Sequence, residues 1–158
     1  MDDHQFQTLL QIMDRLKAVE LAMARFYALC ASAFLQDAEL WDGLRRDEEE
    51  HARLVDELRQ LAKEKKADYT LDKFNTALLN TYLAGIEDEI RRFKNGEIGR
   101  RQALSIAQDY ERTLIERQFY NVVKGPQPEY GQISQRIDQE THTHFQKLRQ
   151  YIQERFPA

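Results

Sequence analysis

Apolar residues recur at alternating intervals of three and four along almost the whole chain, a pattern that only helices gather onto one face. A first helix is predicted from about Asp3 to Leu35, with the stripe Met13, Leu16, Glu20, Met23, Tyr27, Cys30. After a break near Gln36–Asp37, a second runs from about Ala38 to Lys66 and carries Trp41, Leu44, Glu48, His51, Val55 and Leu58. Further helices are predicted over about Leu71 to Lys94, stopped by Asn95-Gly96, and over about Arg100 to Lys124. GPQPEYG, Gly125 to Gly131, reads as the clearest loop. A last helix covers about Gln132 to Arg155, with the stripe Ile133, Ile137, Thr141, His144, Leu148, Tyr151. Only 6 Gly and 3 Pro occur in 158 residues, too little punctuation for a strand-and-turn fold. The expected fold class is all-α, one domain over residues 1–158. Two helical hairpins are joined by a long, partly helical crossover at about 67–99, which is one way to build a four-helix bundle.

Composition narrows the function classes. Hydrophobic residues at 42% and charged residues at 32% suit a soluble domain with a sizeable core. A net charge of −4 gives no electrostatic reason to expect nucleic acid. The single cysteine, Cys30, excludes an internal disulfide and any CxxC metal knuckle, and reads as a small core residue. The start, MDDHQFQ, is acidic and polar and predicts no secretory leader. The longest apolar run, Tyr27 to Leu35, is too short to span a bilayer, so no membrane role is expected and a cytoplasmic location is the default.

The stripes contain residues foreign to an apolar core. Glu48 and His51 lie three apart and share a helix face with Leu44, Val55 and Leu58. Glu20 repeats the anomaly in the first helix, and Glu111 lies between Leu104 and Ile115 in the helix after the crossover. His144 sits on the last stripe. Each hairpin therefore offers a Glu and then a helix carrying a His, at nearly equal separations. Alone, Glu48 and His51 read as a core histidine satisfied by a neighbouring acid. Several buried carboxylates together are costly unless they are paired or bind a metal, and carboxylate oxygen with imidazole nitrogen suits iron, manganese or zinc.

These residues resemble the rubrerythrin and ferritin-like di-iron carboxylate proteins. That site takes one Glu from each of two helices and a Glu-x-x-His from each of the other two. Glu20 followed by Phe26-Tyr27 is similar to the family's first-helix pattern, and EEEH, ending at His51, to its second. DYERTLIE, Asp109 to Glu116, is similar to its third, with Glu111 in the bridging position. The resemblance covers nearly the whole chain. It implies a ferritin-like four-helix bundle, a homodimer and oxidoreductase chemistry, either peroxide reduction or Fe(II) oxidation. The implied cofactor is two irons, with a single filled position and zinc or manganese as alternatives. Glu20 and Glu111 would be the inner, bridging carboxylates. Glu48 with His51 would complete one position, and His144 with either Glu140 or water the other. The chain departs from the pattern at Thr141, where the family has Glu three residues before the histidine; the nearest acid is Glu140 in ETHTH. It also lacks the four-cysteine rubredoxin-like module, so redox cycling would need an external electron donor. The rival reading is a non-catalytic helical bundle holding one structural zinc or iron and acting as a binding or interaction protein.

The remaining candidates have plainer readings. Tyr27 and Tyr120 lie in or near the stripes, either hydrogen-bonding a ligand carboxylate or packing with the hydroxyl satisfied. Glu116, five residues beyond Glu111, is rotated well away from it and is read as an ion-pair or supporting partner. Asp47, Glu49 and Glu50 are expected in solvent, as are His4 and His142. Arg45, Arg46, Arg53 and Arg59 are expected in surface ion pairs worth little individually. Phe74, Leu78, Leu79, Tyr82 and Leu83 form an apolar surplus in the crossover, available to a dimer interface or to the chain's own core.

Overall fold

Asp2 sets the first helix. Its side chain accepts from the Gln5 backbone N–H at 2.7 Å while the Gln5 side chain accepts from the Asp2 N–H at 3.1 Å, so two otherwise orphaned donors are satisfied reciprocally. Helix α1 then runs over Asp3–Ala33 and α2 over Ala38–Glu64, separated by a tight turn at Leu35–Asp37. The structure is a computed structural model and describes residues 1–73 and 76–158. After α2 come β1 (Thr70–Leu71), α3 (Thr76–Lys94), α4 (Arg100–Arg117), β2 (Val123–Lys124) and α5 (Pro128–Arg155). The chain is all-α apart from this two-stranded antiparallel pair, in which Thr70 faces Lys124 and Leu71 faces Val123. Among the described residues, no helix is long and apolar enough to cross a membrane.

Two hairpins, α1–α2 and α4–α5, pack against each other through α2 and α5, and the crossover helix α3 lies along α1. One end is fastened by Asp37, whose buried carboxylate accepts from Arg100 Nε at 2.6 Å, Arg100 Nη2 at 2.8 Å and the Tyr151 hydroxyl at 2.6 Å. That contact joins the α1–α2 turn, the start of α4 and the end of α5. At the other end the Gln127 amide donates to the Leu61 carbonyl at 2.9 Å and accepts from the Tyr69 hydroxyl at 2.7 Å. There the Tyr69 ring lies where a side chain at Gly125 would stand, with a Cβ placed 2.5 Å from it, so only glycine fits. The core is Leu9, Ile12, Met13, Leu16 and Phe26 of α1 with Leu44 and Leu58 of α2, Leu104 of α4 and Ile137 and Leu148 of α5.

Three boundaries differ from expectation. Helix α4 stops at Arg117, not Lys124, because Gln118 adopts a left-handed conformation (φ 51°) and a further tight turn, Phe119–Asn121, leads into β2. Leu71, expected to open a helix, is paired in β1. Helix α5 begins at Pro128, inside the expected loop, since a proline at a helix's first positions loses no hydrogen bond. The stop at Asn95-Gly96 matches expectation: Gly96 is left-handed (φ 74°) and the Gly96 and Glu97 N–H groups return to Phe93 and Arg92 carbonyls. In the crossover, Leu79 and Tyr82 are buried in the chain's own core, Leu83 packs against it and Leu78 is exposed, while Phe74 lies outside the described residues. Arg45 pairs with Glu49, Arg53 with Glu50 and Glu57, and Arg59 with Asp14, whereas Arg46 donates to the Asp42 carbonyl.

Candidate metal centre

Each of the four hairpin helices α1, α2, α4 and α5 turns a polar residue into the core at mid-length. Glu20, Glu48, His51, Glu111 and His144 are each at most 1% exposed. They fall into two groups, Glu20–Glu48–His51 and Glu48–Glu111–His144. In each group one donor atom per residue lies within 4.8 Å of the others, and either group could hold a metal ion. Glu48 belongs to both. The carboxylates expected to be inner and bridging, Glu20 and Glu111, each serve one group, and Glu48 occupies the shared position.

The donor atoms approach each other without satisfying each other. His51 Nδ1 lies 3.4 Å from Glu48 Oε2 and 3.7 Å from Glu20 Oε2. His144 Nδ1 lies 2.8 Å from Glu48 Oε1 and 3.5 Å from Glu111 Oε1. None of these contacts has hydrogen-bond alignment: Glu20 Oε2, both Glu48 oxygens, both His51 nitrogens, Glu111 Oε2 and His144 Nδ1 are all buried with no hydrogen-bond partner. The 2.8 Å pair is close but off the axis of any ring N–H, so the alignment decides and the contact is not a hydrogen bond. Buried polar atoms are almost always paired, and lone pairs converging on shared centres are what a cation would satisfy. The residues present therefore fit a metal.

The histidine rings stack, with centroids 5.6 Å apart, and each turns Nδ1 inward and Nε2 outward. The Nε2 of His144 is hydrogen-bonded to Asp47 Oδ2 at 3.0 Å. The Nε2 of His51 lies 3.5 Å from Glu140 Oε1, a looser contact, because Glu140 is also held by Arg136 at 2.9 Å. The arrangement is reciprocal: α2 steadies the histidine of α5, and α5 approaches that of α2. Partners of this kind fix ring orientation. Glu140 thus lies behind His51 and outside both groups, not beside His144 as expected. Thr141 is buried, and its hydroxyl is spent on the Ile137 carbonyl at 2.8 Å, so the slot expected to hold a fourth carboxylate ligand has none.

Two phenols close the centre. The Tyr27 hydroxyl donates to Glu111 Oε1 at 2.6 Å and that of Tyr120 to Glu20 Oε1 at 2.5 Å, so the bonding and packing readings of these tyrosines both hold. Burial and then the nearby carboxylates push both phenols well above their usual range, which keeps them neutral donors. Glu116 is exposed and takes no place in the centre, while His4 and His142 are exposed as expected. Asp47, expected in solvent, is the supporting residue that sequence reasoning missed. It is four residues before His51, at the edge of the same stripe, and that offset was the available signal.

Protons and buried charge are coupled in the centre. Burial and then the Glu20 and Glu111 charges push the Glu48 carboxyl up. For Glu20 burial acts upward too, but Glu48, His51 and Tyr120 outweigh it and hold the carboxyl low. Burial opposes charge on His51, yet Glu20 and Glu48 raise it to about 11. His144 is raised likewise by Glu111, Asp47 and Glu48 against the same burial. A cation entering the centre would displace those protons. Comparison with protein-family models, with curated proteins and with solved structures gives no match.

Proposed function

We propose that this chain is a non-haem iron protein of the rubrerythrin and ferritin-like type, an oxidoreductase that reduces peroxide or oxidises Fe(II). The observation that carries the reading is the double group of buried donors sharing Glu48, with lone pairs converging and unsatisfied. Glu20 and His51 with Glu48 would hold one iron; Glu111 and His144 with Glu48 would hold the other. Bound Fe(II) would supply one electron per ion to an external oxidant, peroxide or O₂, and be left as Fe(III). The chain itself orients His144 through Asp47, holds Glu111 and Glu20 through Tyr27 and Tyr120, and excludes bulk water from five buried ligands. Among the described residues three side chains address each position, and Thr141 adds none, so each ion would keep room for small molecules. Electrons would come from an external donor, since Cys30 is buried and is the chain's one cysteine. A homodimer is part of the proposal.

The same shortage of donors favours a second reading, one structural zinc or iron in a bundle that binds or scaffolds. Anaerobic Fe(II) titration with metal analysis separates the two. About two irons per chain, with near-ultraviolet absorption that changes on adding peroxide, is the expected result. A colourless protein with about one zinc per chain and a large fall in melting temperature on chelation supports the structural reading. No specific metal in any form overturns both.

A further inference from the structure

The five side chains of the centre are buried, so a cation or an oxidant coming from solvent must pass the residues that cover them. Asp47, Glu140 and Tyr120 each contact a side chain of the centre and are only partly buried. Asp47 and Glu140 stand behind the imidazoles, against the outward Nε2 atoms, and moving either uncovers the far side of a ring. Tyr120 stands differently. Its hydroxyl lies directly on Glu20 Oε1, and the residue lines a surface cavity of about 450 Å³, beside the β1–β2 pair, that also touches Gln118, Asn121, Lys124 and Ser134.

The backbone under Tyr120 is also unlike that under the ligands. Glu20, Glu48, His51, Glu111 and His144 sit inside helices of 18 or more residues. Tyr120 sits in the three-residue turn Phe119–Asn121, between left-handed Gln118 and the two-residue strand β2. Its side chain can turn toward the cavity by giving up its hydrogen bond to Glu20 and its packing against the core, without disturbing a long helix.

We propose that this cavity is the port through which the centre exchanges metal ions and small oxidants with solvent, and that Tyr120 is its gate. The proposal rests on the metal reading for its role but not for its test. In metal-free protein labelled with ¹⁵N-histidine, solvent exchange of the Nδ1–H protons of His51 and His144 reports access directly. Tyr120→Phe, which keeps the ring and loses the hydroxyl, is expected to speed exchange about five-fold, the worth of one hydrogen bond. Tyr120→Ala is expected to speed it more than ten-fold, and added 4-methylphenol to reverse much of that gain. With Co(II) as the probe, uptake and chelator-driven release should both accelerate in the same order, with stoichiometry unchanged. Asp47→Asn and Glu140→Gln should speed Co(II) release, as their weaker binding requires, but leave Co(II) uptake within about two-fold of wild type. Exchange and Co(II) rates equal to wild type in both Tyr120 variants would overturn the port, as would faster uptake confined to Asp47→Asn or Glu140→Gln. Wild-type protein that binds no Co(II), yet shows the expected exchange order, would overturn the metal reading and leave the port standing.

Discussion

Asp37 and Glu48 are both buried carboxylates, and the chain treats them in opposite ways. Asp37 collects three hydrogen bonds, two from Arg100 and one from Tyr151, and so is satisfied by the chain itself. Glu48 is packed among two other carboxylates and two imidazoles, with neither oxygen hydrogen-bonded. The first arrangement fastens the hairpins together. The second costs stability unless something from outside completes it. A carboxylate whose partners are all in the chain is architecture; one buried among donors that leave it without a hydrogen bond could hold a metal ion.

Substitution should separate the two most sharply. Glu48→Gln removes the carboxylate shared by both groups, and metal affinity measured by competition with a chelator should fall more than about 100-fold, beyond the usual effect of an outer partner. Asp37→Asn should leave that affinity unchanged. In urea unfolding of metal-free protein the order reverses: Asp37→Asn should cost about 2 kcal/mol by stranding Arg100 and Tyr151, while Glu48→Gln should cost less than about 1 kcal/mol. Equal losses of stability would break the distinction.

Smaller effects sharpen it. Asp47→Asn should weaken metal binding about ten-fold, because it loosens a true hydrogen bond to His144, and Glu140→Gln should weaken it less, because the His51 contact is already long. Metal uptake at neutral pH should release about three protons per chain, one from each raised histidine and one from Glu48, read calorimetrically in buffers of different ionisation enthalpy. Uptake without proton release would mean that the imidazoles are not ligands. The smallest effect is on acid stability. Arg100, through its hydrogen bonds, holds the Asp37 carboxyl below the usual carboxylate range. The stability this pair gives is complete above the unfolded value near 4 and is lost as pH falls through the lower folded value. Asp37→Asn should flatten the melting temperature across that acid window, and an unchanged slope would show that the pair does not govern it.

Much of this was legible in sequence because the relevant signal was local and periodic. Glu20, Glu48, His51, Glu111 and His144 stood on apolar stripes, and a helix maps stripe to core directly. What escaped depended on contacts between distant segments or on unmarked backbone. The stop at Gln118 has neither glycine nor proline to signal it. The β1–β2 pair joins two-residue segments more than fifty positions apart, too short for any period to appear. Asp47 was hidden in a run of four acids; its four-residue offset from His51 hinted at the stripe, but the partner it meets, His144, comes from distant α5. Glu140 and Glu116 show the converse: proximity in sequence to a ligand placed one behind a ring and the other at the surface.

The claim that Glu48 is the shared ligand of a metal centre is most directly tested by anomalous diffraction, at the iron edge, from crystals of protein loaded anaerobically with Fe(II). The account predicts two anomalous peaks in the core, one against Glu20 and His51, one against Glu111 and His144, and both in contact with Glu48. Peaks only at surface carboxylates, or a core with no anomalous density after loading, would contradict it.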